Sequence, residues 1–402
     1  MIWALLLVQA MPVTAETDGA SFESCIESLQ AAARRASVPE PIVRDVLGAL
    51  EQQARVIELD RDQPEFRQSF SAYLRGRVSE TRVWRGRALY VQHRRLLDEL
   101  TREYGVPGHY LVSFWGMETN FGSYLGSMPT LDSLATLACD PRRSEFFTDE
   151  LITALKLLDR EGLKPSAMRG SWAGAMGHTQ FMPSSYMRHA VDGDGDGKVD
   201  LWGSEADALT SAANYLADLG WRRGERWGRE VQLPDDFAFA ETGLAHRAPL
   251  SRWREMGVRQ ANGQALPSAD MAGSVLVPMG HRGPAFLVYD NFEVIMKWNR
   301  SQAYAIAVGH LADRIAGGGR LVSELPPVES APSRSQITGM QLRLIQHGFD
   351  PGEPDGVLGP ATRAALREFQ QARGLAADGY PDPTTVEVLG AETQIEHEHN
   401  NE

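Results

Sequence analysis

From Phe22 to Leu158 apolar residues recur at spacings of three and four, in Val43, Val46, Leu47 and Leu50 and again in Leu89, Leu96, Leu97 and Leu100. That is the period of helices with one buried face, and it predicts an α-helical lobe. Pro107 and Gly108 open a helix that is apolar on most sides, with Gly122 as its stop. Helices are also predicted from Asp149 to Leu158 and from Ala206 to Leu219. Between Trp227 and Asp290 the texture changes to short β-type runs, from Ser274 to Val277 and from Ala285 to Tyr289, set among Gly, Pro and Asn. A helical period returns from Glu293 to Ile315. Beyond Gly317, Gly318 and Gly319, the Pro- and Ser-rich stretch from Leu325 to Ser335 reads as a linker. From Ile337 to Leu389 a helix, a DG turn, a second helix and another DG turn follow. Leu342, Ile345, Leu366 and Phe369 are its expected core, and Asp355 and Asp378 set the turns. The fold class expected is mainly α (α+β): a helical domain with a small β-containing insertion, then a three-helix module.

The chain has 402 residues, ample for two or three domains. Its first fifteen residues, MIWALLLVQAMPVTA, carry an apolar run from Ile2 to Val8 with small residues at Val13 and Ala15. A signal peptide cut after Ala15 is expected despite the missing basic start, a retained apolar tail being the alternative. No other stretch is long and apolar enough to span a bilayer. Phe22, Glu23 and Ser24 before Cys25 are unlike the positions that precede a lipidated cysteine, so no stable membrane anchor is expected. A net charge of -13 with pI near 5.3 argues against nucleic acid as a partner.

Candidate chemistry sits in two blocks. Phe114 to Gly122 reads FWGMETNFG and places a single carboxylate, Glu118, among Leu111, Phe114, Trp115, Met117 and Phe121, with no Lys or Arg within one turn. Such surroundings desolvate the charged form, so the carboxyl is expected to hold a proton near neutral pH, as cleavage of a glycosidic bond requires. A helix-end glutamate that reaches solvent is the alternative. Gly170 to Tyr186 reads GSWAGAMGHTQFMPSSY, with Gln180 after a run of Gly and Ala that lets backbone approach a ligand. A third stretch, DGDGDGKVD from Asp192 to Asp200, puts carboxylates at positions 1, 3, 5 and 9 of an EF-hand-type loop with Gly197 at position 6. Gly203 stands where the usual bidentate Glu would be, so an ordinary EF-hand is a poor description.

The two blocks resemble those of the B-type lytic murein transglycosylases, a lysozyme-like group (glycoside hydrolase family 103), from about Phe22 to the segment between Asn299 and Ile315. The stretch after the linker resembles a type-one peptidoglycan-binding domain. The resemblance implies that Glu118 first protonates the glycosidic oxygen between N-acetylmuramic acid and N-acetylglucosamine, then takes a proton from the muramic acid 6-hydroxyl. The product is a 1,6-anhydro-muramyl end. It implies Tyr73, Ser171, Gln180, Tyr215 and Asn299 as substrate contacts, with core or surface filling the alternative for Ser171, Gln180 and Tyr215 and above all for Tyr73. It implies a structural Ca²⁺ on Asp192, Asp194, Asp196, the Lys198 carbonyl and Asp207, with Glu205 as competitor for the last place, and no cofactor for the chemistry.

Two other readings stay open: a hydrolytic muramidase using Asp132 or Glu145 as second acid, and a non-catalytic wall-binding scaffold. The expected organisation is a signal peptide over 1–15, a catalytic domain over 20–320, a linker over 321–335, a peptidoglycan-binding domain over 336–391 and a polar tail over 392–402. A soluble, exported, periplasmic monomer follows, with peptidoglycan glycan strands as partner and cell-wall machinery as further partners left open. In that compartment Cys25 and Cys139 are expected to form a disulfide, two buried thiols being the alternative.

Overall fold

The structure, a computed structural model, describes residues 18–62, 68–325 and 332–390. The expected signal peptide and polar tail lie outside them. The helices of the first part are α1 (Asp18–Arg35), α2 (Ala54–Asp62), α3 (Phe70–Arg77), α4 (Glu80–Gln92), α5 (Arg94–Tyr104), α6 (Gly108–Thr119), α7 (Thr130–Ala138) and α8 (Ser144–Glu161). They continue as α9 (Pro183–His189), α10 (Glu205–Asp218), α11 (Leu250–Glu255), α12 (Asp290–Trp298), α13 (Gln302–Ile315), α14 (Arg334–Gln346) and α15 (Pro360–Ala372). One compact unit takes the chain up to Asp62 together with Leu125–Arg188; the second takes the segment from there to Tyr124 together with everything from His189 on. The fold is mainly α with small sheets: a helical domain with a β-containing insertion and a C-terminal helical module.

In the first unit α7 and α8 pack on one another and on α1 and α2. A disulfide joins Cys25 of α1 to Cys139, the residue that caps α7. The predicted helical run around Val43 becomes a π-turn (Ile42–Val46) followed by a 3₁₀ turn (Leu47–Ala49), which still buries Val43 and Leu47. The strands β1 (Met128–Pro129) and β2 (Arg169–Gly170) pair antiparallel.

The second unit is built round α6. Pro107 starts it, and residues 110–117 are buried on every side, because α6 lies in a core shared with α4, α5 and α13. Ser113 brings a polar group into this core, and its hydroxyl donates to the Val308 carbonyl at 2.7 Å. Gly122 was the expected stop, but the helix ends two residues earlier. Asn120 (φ 50°) and Phe121 (φ 59°) already adopt the left-handed conformation, and Gly122 follows at 73°. A left-handed non-glycine costs about 1–3 kcal/mol. Burial of Phe121 offsets that cost; its ring packs against Trp115 and above Gly116, where a Cβ would come within 2.7 Å of it.

The insertion is a five-stranded antiparallel sheet of order β4-β6-β7-β3-β5, from β3 (Gly228–Gln232), β4 (Arg247–Pro249), β5 (Arg259–Gln260), β6 (Ala272–Leu276) and β7 (Ala285–Val288). Alternation along β7 explains its continuous apolar run. Ala285 and Leu287 enter a core with Trp253 and Val231, while Phe286 and Val288 face the core that holds α6. The predicted helix from Glu293 to Ile315 is divided. Asn299 ends α12 in extended backbone and accepts from the Ser301 N–H, and Ser301 caps α13 by accepting from Tyr304 N–H.

In the C-terminal module each DG turn is clamped by a buried glutamine. Gln341 donates to the Asp355 carboxylate and the Thr362 hydroxyl and accepts from Gly356 N–H. Gln370 does the same to Asp378, Thr385 and Gly379. The core is Met340, Leu344, Ala365, Leu366, Phe369 and Leu389. Leu366 and Phe369 sit as expected, whereas Leu342 and Ile345 are 48% and 46% exposed, because α14 turns Gln341 inward to serve the first DG turn. The module also meets the sheet: Asp378 accepts from the His281 backbone N–H at 2.8 Å and lies 2.7 Å from His281 Nδ1. Among the described residues no helix is long and apolar enough to cross a membrane.

Candidate active site

Glu118 sits in the last turn of α6, half-buried, with the helix stop immediately behind it. The break between α12 and α13 supplies its partners. Trp298, the last residue of α12, donates its indole N–H to Glu118 Oε1 at 3.0 Å, and the Tyr304 hydroxyl, in the first turn of α13, donates to the same oxygen. Burial pushes the Glu118 carboxyl up to about 7, against the opposing hydrogen bonds of Tyr304 and Trp298 and the charge of Arg77. Burial, then the neighbouring Glu118, push the Tyr304 phenol well above its usual value, so it stays protonated and donates. The result is a carboxyl poised between acid and base beside two fixed donors.

Aromatic rings surround that group. Phe114 lies 4.6 Å from Trp298, Trp298 lies 5.1 Å from Tyr215, and Tyr215 stacks on His189 at 4.6 Å. Tyr215 is thus brought to the same wall as Trp298, and α10 places it there. Tyr73 of α3 is half-buried against the α6 core, with the Arg77 guanidinium 5.4 Å over its ring. Burial raises the Tyr73 phenol, and the charge of Glu118 adds to that, which puts Tyr73 within electrostatic reach of the carboxyl. Asn299 is exposed, and its Oδ1 is engaged by Ser301 N–H.

Ser171 and Gln180 belong to the other unit, in a hairpin where Met176 and Phe181 exchange both backbone hydrogen bonds. The Ser171 hydroxyl accepts from Ala175 N–H at 3.0 Å and closes the turn at Gly174. Gln180 adopts φ 51° and donates its amide to the carbonyls of Leu125 and Gly177 at 3.1 and 3.0 Å, so its Oε1 is held as an acceptor. The run of glycines has a physical reason: a Cβ on Gly170 would stand 2.1 Å from the Ala175 carbonyl oxygen. In the same signature the Ser184 N–H and hydroxyl both donate to the buried Glu150, at 2.9 and 2.6 Å, which anchors the start of α9.

In the acidic loop, oxygens of Asp192, Asp194 and Asp196 lie within 4.8 Å of one another, on a turn bent by Gly195 and Gly197 at positive φ. Asp207 does not join this group. It is buried and accepts from the N–H groups of Gly193, Asp194 and Asp200, bracing the loop from α10. Lys198 donates its N–H to Asp196, and Glu205 lies 3.0 Å from His93. The two residues proposed as a second acid have other settings: Asp132 accepts from Glu51 N–H at 2.8 Å, and Glu145 is exposed in the first turn of α8.

The residues that sequence reasoning missed are Trp298, Tyr304 and Arg77. The capping pair Asn299 and Ser301 was the available signal, since it marks the break that turns Trp298 and Tyr304 to one carboxylate.

The family model described as Transglycosylase SLT domain matches residues 21–313, and a peptidoglycan binding domain model matches residues 333–389. The membrane-bound lytic murein transglycosylase B of Escherichia coli K12 is 34% identical over 254 residues, covering 61% of this chain and 68% of that protein. A crystal structure of SltB3 from Pseudomonas aeruginosa in complex with NAG-anhNAM-pentapeptide superposes with a TM-score of 0.88 at 45% identity, over 92% of this chain and all of that one. The Escherichia coli lytic transglycosylase Slt35 in complex with calcium gives a TM-score of 0.62 at 29% identity, over 75% of this chain and 94% of that one. With most of its length matched by one family model and 92% of it by a solved structure at 45% identity, the chain belongs to the SLT transglycosylase family, with a C-terminal peptidoglycan binding domain.

Proposed function

We infer that this chain is a lytic transglycosylase that cleaves the β-1,4 bond between N-acetylmuramic acid and N-acetylglucosamine in peptidoglycan and leaves 1,6-anhydro ends. The observation that carries it is Glu118: one half-buried carboxyl at about 7, held by Tyr304 and Trp298, with no second carboxylate among the groups that shift it. Protonated Glu118 donates to the glycosidic oxygen as the bond to the anomeric carbon breaks. The ionised carboxylate, steadied by two donors, then withdraws the proton of the 6-hydroxyl as its oxygen closes on that carbon. Glu118 ends protonated as it began, and no water is consumed. An oxygen of the same sugar has an effective molarity that bulk water lacks.

The remaining residues have roles that follow from their settings. Tyr73 and Tyr215 offer ring faces for sugars, and Gln180 Oε1 accepts from a sugar hydroxyl or acetamido N–H. Ser171 shapes the hairpin that holds Gln180, and Asn299 contacts substrate from the α12–α13 break. Three converging carboxylates suit a hard cation, so Asp192, Asp194 and Asp196, with the Lys198 carbonyl, would hold Ca²⁺. The ion serves the loop's structure and takes no part in proton transfer. The C-terminal module keeps the enzyme on the wall. The N-terminal segment exports the chain to the periplasm, where it works in cell-wall turnover and remodelling as a monomer.

The test is mass spectrometry of products released from purified peptidoglycan by the wild type and by Glu118→Gln, before and after borohydride. Borohydride-resistant anhydro ends from the wild type alone are expected. Reducible ends would make it a muramidase, and no product from either protein would favour a wall-binding scaffold.

A further inference from the structure

The chain is acidic overall, yet residues 75–95 hold seven arginines (75, 77, 82, 85, 87, 94 and 95) against one acid, Glu80. Four have evident structural work. Arg94 and Arg95 pair with Asp98 and Glu99, Arg87 donates twice to the Arg314 carbonyl, and Arg75 donates to Ser71 and to the Leu325 carbonyl. Arg77, Arg82 and Arg85 differ: among the described residues none has an ion pair with a carboxylate. All three gather where α6 ends. Arg82 donates to the carbonyls of Gly76 and Arg77 at 3.2 and 2.9 Å and to Asn120 Oδ1 at 3.3 Å. Arg85 donates to the Phe121 carbonyl at 3.2 Å with its guanidinium 5.5 Å over the Phe121 ring. Arg77 covers Tyr73, and its charge reaches Glu118.

Arg82 and Arg85 are held by backbone carbonyls rather than by carboxylates, and Arg82, which donates to the Arg77 carbonyl, is repelled by the Arg77 charge. Burial and then the charge of Arg77 push the Arg82 guanidinium below its usual value. An anion would relieve this repulsion, and a guanidinium fork matches a carboxylate with two parallel hydrogen bonds. Arg85 is exposed and Arg77 and Arg82 are half-buried, so the cluster reaches solvent. Arg82 and Arg85 bond to Asn120 and Phe121 of the left-handed turn that follows Glu118, and the Arg77 charge reaches Glu118 itself, so an anion bound there lies next to the catalytic carboxyl. A chain of net charge -13 also needs local positive charge to approach a polymer that bears carboxylates.

We propose that Arg77, Arg82 and Arg85 form a carboxylate subsite that receives a stem-peptide carboxylate of the strand being cleaved. This rests on the peptidoglycan reading above and adds to it: the enzyme selects strands that still carry their peptides. The alternative role for these arginines is to tie α3 and α4 to the end of α6.

The test compares kcat/KM on peptide-bearing glycan strands and on strands stripped of peptide by an amidase, for the wild type, Arg82→Gln, Arg85→Gln and Arg85→Lys. The ratio of the two values falls about tenfold in each Gln variant, the loss of one charge-assisted pair, and less in the Lys variant, which keeps charge without the fork. Equal losses on both substrates, or no change in the ratio, overturn the proposal. A separate binding measurement uses N-acetylmuramyl-alanyl-isoglutamic acid as probe. Saturable binding to the wild type that Arg85→Gln weakens supports the subsite even if neither strand yields anhydro ends, a result that would sink the peptidoglycan-cleavage reading alone. No binding to the wild type overturns the subsite.

Discussion

Removing one hydroxyl tests how Glu118 is tuned. Tyr304 and Trp298 both donate to Oε1, so both favour the ionised form, and burial opposes them. Tyr304→Phe deletes one donor and keeps the ring, which is 5% exposed and packed beside Phe114. A hydrogen bond to a charged group is worth about 1.5–3 kcal/mol, and one pKa unit is about 1.4 kcal/mol. The carboxyl, at about 7 with both donors in place, therefore moves up by about 1–2 units in the variant. The first step needs the protonated form, so kcat/KM falls as pH rises through that value. In the wild type the falling limb is centred near 7; in Tyr304→Phe it moves to higher pH. The maximal kcat drops as well, since the ionised intermediate has lost a donor. The assay is release of anhydro-muropeptides from pH 5 to 9. A limb that stays in place or moves down would refute the assignment of Tyr304 as a donor to the ionised carboxylate.

Three further outcomes follow from the same structure. Glu118 has a folded-state value above its unfolded one, so folding binds a proton between about 4.5 and 7 and stability falls as pH rises through that window; Glu118→Gln should therefore stabilise the fold at pH 8 by on the order of 2 kcal/mol, with no gain at pH 4, as measured by urea unfolding. Asp194→Ala should abolish any rise of Tm on adding Ca²⁺ and barely change Tm in chelator, whereas Asp207→Ala, which removes the buried acceptor of three loop N–H groups, should lower Tm in chelator too. Reduction of the Cys25–Cys139 bridge, which spans 114 residues, should cost about 4–5 kcal/mol by the chain-entropy estimate, and a Tm unchanged by reductant would contradict a structural role.

What was legible in the sequence was local. An apolar helix with one carboxylate in its last turn could be seen in FWGMETNFG, and so could the acidic loop and both DG turns, because each is specified by neighbours in sequence. The partners of Glu118 lie 180 and 186 residues away, and Trp298 and Tyr304 have no periodic signature. Their convergence depends on a helix break that a continuous apolar period over α12 and α13 conceals. In the last module, Met340 with Leu344 and Leu342 with Ile345 both fit helical spacing, so hydrophobicity alone does not choose the face. Buried Gln341 decides it, and a polar residue in the core is what a hydrophobic pattern cannot show. Asp207 was read, through the resemblance, as a cation ligand from the helix after the loop, while its use as a brace emerges only from three backbone N–H groups aimed at it.

The most direct test of the central claim is digestion of peptidoglycan in ¹⁸O-labelled water with mass analysis of the new ends. Attack by the sugar's own 6-hydroxyl, with Glu118 as the one acid and base, predicts anhydro ends that carry no label. One ¹⁸O at each new reducing end would mean that water is the nucleophile and would contradict the account.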